Sequence, residues 1–123
     1  MPKILINFLA IILIFFNRST ILFGANQIWI EVSKTSEGIQ YLDRNSLKSK
    51  SESVKEIITK YSKIDPNTSE IIEDNIYVMR INCLTNKYKD ISVNGKNNLS
   101  AKWEAPKGDK LLNDVISYSC KNA

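Results

Sequence analysis

The sequence predicts an α+β domain: a β-sheet with a C-terminal helix on one face, tethered to it by a disulfide between Cys83 and Cys120. Three observations carry this expectation. Several short stretches alternate apolar and polar side chains and are separated by turn residues. The last apolar stretch instead places Leu112, Ile116 and Cys120 four residues apart, which stacks them on one helical face. The two cysteines of the chain both follow an N-terminal stretch with the character of an export signal, and an even cysteine count in an oxidising compartment favours a disulfide.

The chain begins Met-Pro-Lys, and from Ile4 to Phe16 only Asn7 is polar. Such a run would rise about 20 Å as a helix, short of the roughly 30 Å hydrocarbon core, and reads as a secretory signal. Gly24-Ala25 supplies small residues for cleavage, so residues 1–25 are the expected signal peptide and residues 26–123 the mature domain. Phe23 lies at −3 of that site, where a small residue is preferred, and an uncleaved anchor is the competing reading. Membrane contact is expected only through this segment. No cysteine precedes residue 83, so the pattern for lipid attachment at a new N-terminal cysteine is missing.

From the start of the mature part, Ile28, Ile30 and Val32 alternate with Trp29 and Glu31, the period of a strand. Gly38 marks a turn, and 39–43 form a second strand, giving a hairpin. Residues 52–64 are ambiguous: Val54, Ile57, Ile58 and Tyr61 fit a helix, while Ile57, Thr59 and Tyr61 fit a strand. Asp65-Pro66-Asn67 is a loop. Residues 75–84 are the clearest strand, with Tyr77, Met79, Ile81 and Cys83 on one face. Residues 87–93 follow as another, and Asn94-Gly95 is a tight-turn pair. Leu99, Ala101 and Trp103 alternate with polar residues and predict a strand over 98–105, ended by Pro106. Asp109 can cap a helix over about 109–120. Cys120 on that helix and Cys83 on the long strand then clamp helix to sheet.

The composition argues against an enzyme. There is no histidine, which removes the commonest base near neutral pH and the Ser-His and Cys-His nucleophile pairs. Gly38, Gly95 and Gly108 are isolated and form no phosphate loop. Glu73-Asp74 is an adjacent acidic pair, but nothing marks a two-carboxylate hydrolase. Asp65, Asn67 and Ser69 begin like a calcium loop, yet Glu70 and Ile76 stand where glycine and glutamate are needed. No cofactor and no metal site is expected. Without residues 1–25 the 17 basic residues fall to 15 against 13 acidic ones. That near balance is a solvated surface, not a nucleic-acid stripe, and no nucleic-acid partner is expected. Trp29 and Trp103 suggest an aromatic binding surface, in competition with ordinary packing. Lys48, Lys50 and Lys55 read as an acidic-partner patch or as a solvated face that guards strand edges.

Trp29 in the first strand, Tyr41-Leu42-Asp43 followed by Ser46-Leu47, Cys83 closing a long strand, Trp103-x-x-Pro106, and a short helix ending in Cys120 resemble the bacterial surface-adhesin protein E family. The resemblance spans about residues 27–120. It implies an antiparallel sheet of about six strands with the helix on its concave face, and it tips 52–64 towards a strand. By the same resemblance the chain is an exported, non-enzymatic binding domain of the periplasm or cell surface, with an extracellular or envelope protein or polymer as partner. A periplasmic structural or envelope-associated protein is the alternative. No ligand-binding residue of the family transfers onto this sequence.

Overall fold

The computed structural model describes residues 26–122. The signal expected over residues 1–25 lies outside them. Seven antiparallel strands form one sheet: β1 (Trp29–Lys34), β2 (Gly38–Asp43), β3 (Lys48–Ser49), β4 (Val54–Ile64), β5 (Ile71–Asn82), β6 (Lys87–Val93) and β7 (Lys96–Asn97). They run β1-β2-β4-β5-β6-β7, with β3 beside β4 where β2 has ended. One helix, α1 (Lys110–Lys121), follows.

Residues 52–64, undecided by periodicity, are strand from Val54 onward. The sheet decides it: β4 pairs with β2 on one side and with β5 along nearly its whole length on the other. Central position, not local propensity, fixes such a segment. Alternation then divides its side chains. Ile57, Thr59 and Tyr61 share the helix-bearing face with Leu42, Met79 and Ile81, while Glu56, Ile58 and Lys60 share the other. Leu42, Ile57, Met79, Ile81, Val115 and Ile116 form the buried core.

Two features depart from the simple alternation. In β1 the register slips between Glu31 and Ser33, leaving Val32 unpaired. The bulge aims Ser33 inward, where its hydroxyl donates to Asp114 Oδ2 (2.6 Å) and accepts from Lys110 Nζ (3.1 Å) on α1. The second concerns residues 98–105, which are not a strand. Their backbone bonds to β6 only at the ends, where Asn98 N–H donates to the Ile91 carbonyl (2.9 Å) and Glu104 pairs with Tyr88, and Leu99 is 97 % exposed. Alternation there finds no buried face to serve. Gly38 closes the β1–β2 turn, its carbonyl accepting from Thr35 N–H (2.9 Å), and opens β2; a Cβ there would run into the Tyr61 ring. Asn94 and Gly95 both adopt positive φ (50° and 81°), as the tight β6–β7 turn requires.

The helix begins where Asp109 accepts from Leu112 N–H (3.2 Å). Asp109→Ala is expected to cost about 1 kcal/mol and to lower the melting temperature by roughly 5 °C; thermal denaturation followed by circular dichroism measures it. α1 lies closest to β1 and also touches β2, β4 and β5. Cys120 near its end is bonded to Cys83, just past β5, with Cα atoms 5.7 Å apart.

Candidate functional site

Twelve residues of helix reach about 18 Å, whereas β4 and β5 run roughly 35–40 Å. The helix leans towards β1, so the far part of its face is left uncovered. A cavity of about 440 Å³ opens there, between the start of α1 and strands β4 to β6. That volume lies within the roughly 300–1,000 Å³ of ligand sites.

Alternation places its walls. β4 contributes Thr59 and Tyr61, β5 Tyr77 and Met79, and β6 Tyr88 and Asp90. Gln40 comes from β2, Glu37 from the turn before it, and Asp109 with Leu111 and Leu112 from the head of α1. The register slips between Val78 and Met79: Asp90 faces Met79, Ser92 faces Val78, and Ile91 has no partner. A bulge of this kind re-aims neighbouring side chains, and here it adjoins Asp90.

Asp90 is the most perturbed group described. Burial, and then the charge of Glu104, push its carboxyl up to about 6 from the ordinary 3.8. No described side chain or N–H group hydrogen-bonds that carboxyl. Tyr77 and Tyr88 are raised as well, in both cases first by burial; Asp90 then leads for Tyr77, and Glu104 followed by Asp90 for Tyr88. The folded state therefore holds the Asp90 proton more tightly than the unfolded chain does. Stability contributed by the protonated carboxyl is full below the ordinary value near 3.8 and lost as pH rises through about 6. Solvent screening of this partly exposed group reduces the cost at neutral pH to on the order of 1–2 kcal/mol. Asp90→Asn is accordingly expected to raise the melting temperature by roughly 5–10 °C at pH 7.5 and to leave it nearly unchanged at pH 4. Paired melts at the two pH values test this; a destabilised variant at pH 7.5 would contradict it.

The opposite face carries different chemistry. Glu56, 8 % exposed, meets Lys48 Nζ (3.0 Å), Arg80 Nε (3.2 Å) and Lys50 Nζ (4.0 Å). Burial is the largest single influence and pushes Glu56 up, but bonds from Lys48 and Arg80 and the charges of Lys48 and Lys50 outweigh it and hold it below 4.5. Lys48 and Lys50 are thus engaged within the fold, and Lys55 reaches Ser49. Trp29 sits on this face with Lys60 Nζ 4.9 Å from its ring centre; the same ammonium is 4.6 Å from Tyr41. Trp103 lies beyond β6 under Lys89 (4.7 Å). Four strand spacings, about 19 Å, separate β1 from β6, so the two tryptophans occupy opposite margins of the sheet and do not adjoin.

The fold now has a recognisable frame: a long antiparallel sheet, a single capped helix after it, and one sulfur bridge joining them. The model of the surface adhesin-E family matches residues 30–123. The chain belongs to the surface adhesin-E family. Neither a comparison with curated proteins nor one with solved structures finds a match. In this adhesin-E domain the matched region takes in the whole sheet from Ile30 onward, the cavity and the helix. Among the described residues no helix is long and apolar enough to cross a membrane, and no three acidic or cysteine side chains converge as a metal site.

Of the residues singled out in the sequence, the structure joins Cys83 and Cys120 directly. Asp90 and the tyrosines around it were not singled out. A signal was present: aspartate is depleted in strand interiors, and Asp90 shares a face with Tyr88 two residues before it.

Proposed function

We propose that this adhesin-E domain is an exported, non-enzymatic binding module that takes part of its partner into the cavity at the head of α1. The cavity itself carries this reading. It is open, walled by three tyrosines, and holds a carboxyl with no internal hydrogen bond, an arrangement that costs stability and is accounted for by a ligand. A non-catalytic role is supported by the absence of histidine, the commonest base near neutral pH, and within the cavity by the engagement of the Thr59 hydroxyl with Met79 Sδ (3.4 Å). Export is supported by the family and by the disulfide, since such bonds persist outside the cytoplasm.

Fractionation and labelling of intact cells with a membrane-impermeant reagent test the reading. The expected result is oxidised protein at the cell surface or in the periplasm. Reduced protein confined to the cytoplasm would overturn it. Exposed Ile71 and Ile72 at the start of β5 (54 % and 57 %) favour a second reading, an envelope-associated structural protein that self-associates. A strict monomer on sizing chromatography speaks against that version.

A further inference from the structure

We propose that the cavity at the head of α1 binds an organic cation, an ammonium or guanidinium on an apolar stem. The inference deepens the binding role proposed above and rests on it.

The charges around the cavity are of one sign. Glu37, Asp90 and Asp109 line it, Glu104 stands close enough to Asp90 and Tyr88 to raise both, and no lysine or arginine belongs to its wall. This is unusual in a domain with a basic excess. The lysines flanking the region are turned to other tasks: Lys89 lies on Trp103, and Lys110 bonds Asp114 at 2.7 Å.

Two acceptors that open into the cavity take no hydrogen bond from a described residue. Gln40 is 5 % exposed; its Nε2 donates to the Tyr41 and Lys60 carbonyls, and its Oε1 accepts from no described residue. The Asp90 carboxyl is in the same condition. Both are acceptors open to the cavity rather than sealed within the protein, so a ligand that bonds them there is a donor.

Aromatic rings surround these acceptors. Tyr61, Tyr77 and Tyr88 line the cavity, and a tyrosine ring attracts a cation placed over it; Met79 and Leu112 offer surface for an aliphatic stem. Other ligand classes fit less well. An anion would be repelled from every side. A neutral apolar ligand would deepen the burial of an unpaired carboxyl. A metal ion needs convergent ligands, and no three acidic side chains among the described residues converge.

The source of the cation is either a free amine or a basic side chain of a protein partner. The oxidised protein is therefore titrated by heteronuclear NMR with cadaverine and with acetyl-Gly-Lys-Gly-amide. Propionate and butanol serve as charge-reversed and neutral controls. The expected result is saturable shifts at Gln40, Tyr77, Tyr88 and Asp90 with at least one amine and not with the controls. The tighter amine identifies the source.

Groups close to Asp90 are Tyr88 on its own strand, Tyr77 on β5 and Glu104 in the loop; Tyr61 on β4, Glu73 on β5, Glu37 before β2 and Asp109 at the cap lie further round the cavity, and all are acidic or neutral. Affinity should therefore rise about tenfold from pH 5 to pH 7.5, following the ionised fraction of Asp90. Asp90→Asn should lose at least tenfold while remaining folded and more thermostable, so loss of binding is separable from loss of fold. Undiminished binding by Asp90→Asn, or no shift with either amine at 10 mM (roughly 3 kcal/mol of binding or less), overturns the proposal. Binding of propionate or butanol instead overturns the ligand class and leaves the binding role standing.

Discussion

Replacing Cys83 with serine is expected to lower the melting temperature of the oxidised domain by about 20 °C. The bond closes a loop of 37 residues in sequence separation, and constraining such a loop in the unfolded chain stabilises the native state by ~4 kcal/mol. Domains of this size hold ~5–15 kcal/mol in total, and each kcal/mol moves the midpoint by roughly 4–8 °C. The location of the bond adds to its effect. α1 leans on β1 through Ser33, Asp114 and Lys110, and the bond fastens its other end beside β5. Without that anchor the helix loses the tether that holds it across the sheet. Reduction of the native protein should reproduce the shift, and a melt unchanged by serine or by reductant would show that packing alone holds the helix.

Truncating Ile57 to alanine is expected to cost about 3–5 kcal/mol, an effect of similar size by a different route. Ile57 is fully buried in the centre of β4, opposite Met79 and within the cluster that includes Leu42, Ile81, Val115 and Ile116. Strands on both sides fix the backbone there, so little collapse can fill the space left. Urea unfolding should show a lower midpoint with an unchanged slope. Exposed Ile72 on β5 gives the comparison: Ile72→Ala should change stability by no more than about 0.5 kcal/mol. Equal costs at both positions would contradict the core as described.

The architecture was legible because its strongest signals are periodic. Tyr77, Met79, Ile81 and Cys83 announce their common face in the sequence, and Leu112, Ile116 and Cys120 announce theirs. The cysteines then fixed which faces meet. Residues 98–105 misled because alternation states only which side chains would share a face, and β6 bonds them only at Asn98 and Glu104, too sparsely for a ladder. The bulges at Val32 and Ile91 were invisible for a related reason, since a bulge is a property of a strand pair.

The cavity was the least legible feature. Its walls come from the turn before β2, from β2, β4, β5 and β6, and from the head of α1, segments far apart in the chain. Its existence follows from a mismatch of lengths between helix and sheet that no single stretch encodes. Asp90 in a strand was the charged irregularity on the helix-bearing face, beside the uncharged polar residues Gln40 and Thr59. Such conflicts between local pattern and global fold are where binding sites are expected.

The titration of the Asp90 side-chain carboxyl carbon, followed by NMR in the oxidised protein without ligand, tests the central claim most directly. A carboxyl held in a partly dry cavity beside Glu104, with no donor to stabilise its charge, should titrate with a midpoint of about 6, and the Tyr77 and Tyr88 rings should report the same transition. A midpoint near 3.8 would place Asp90 in open water and contradict the site.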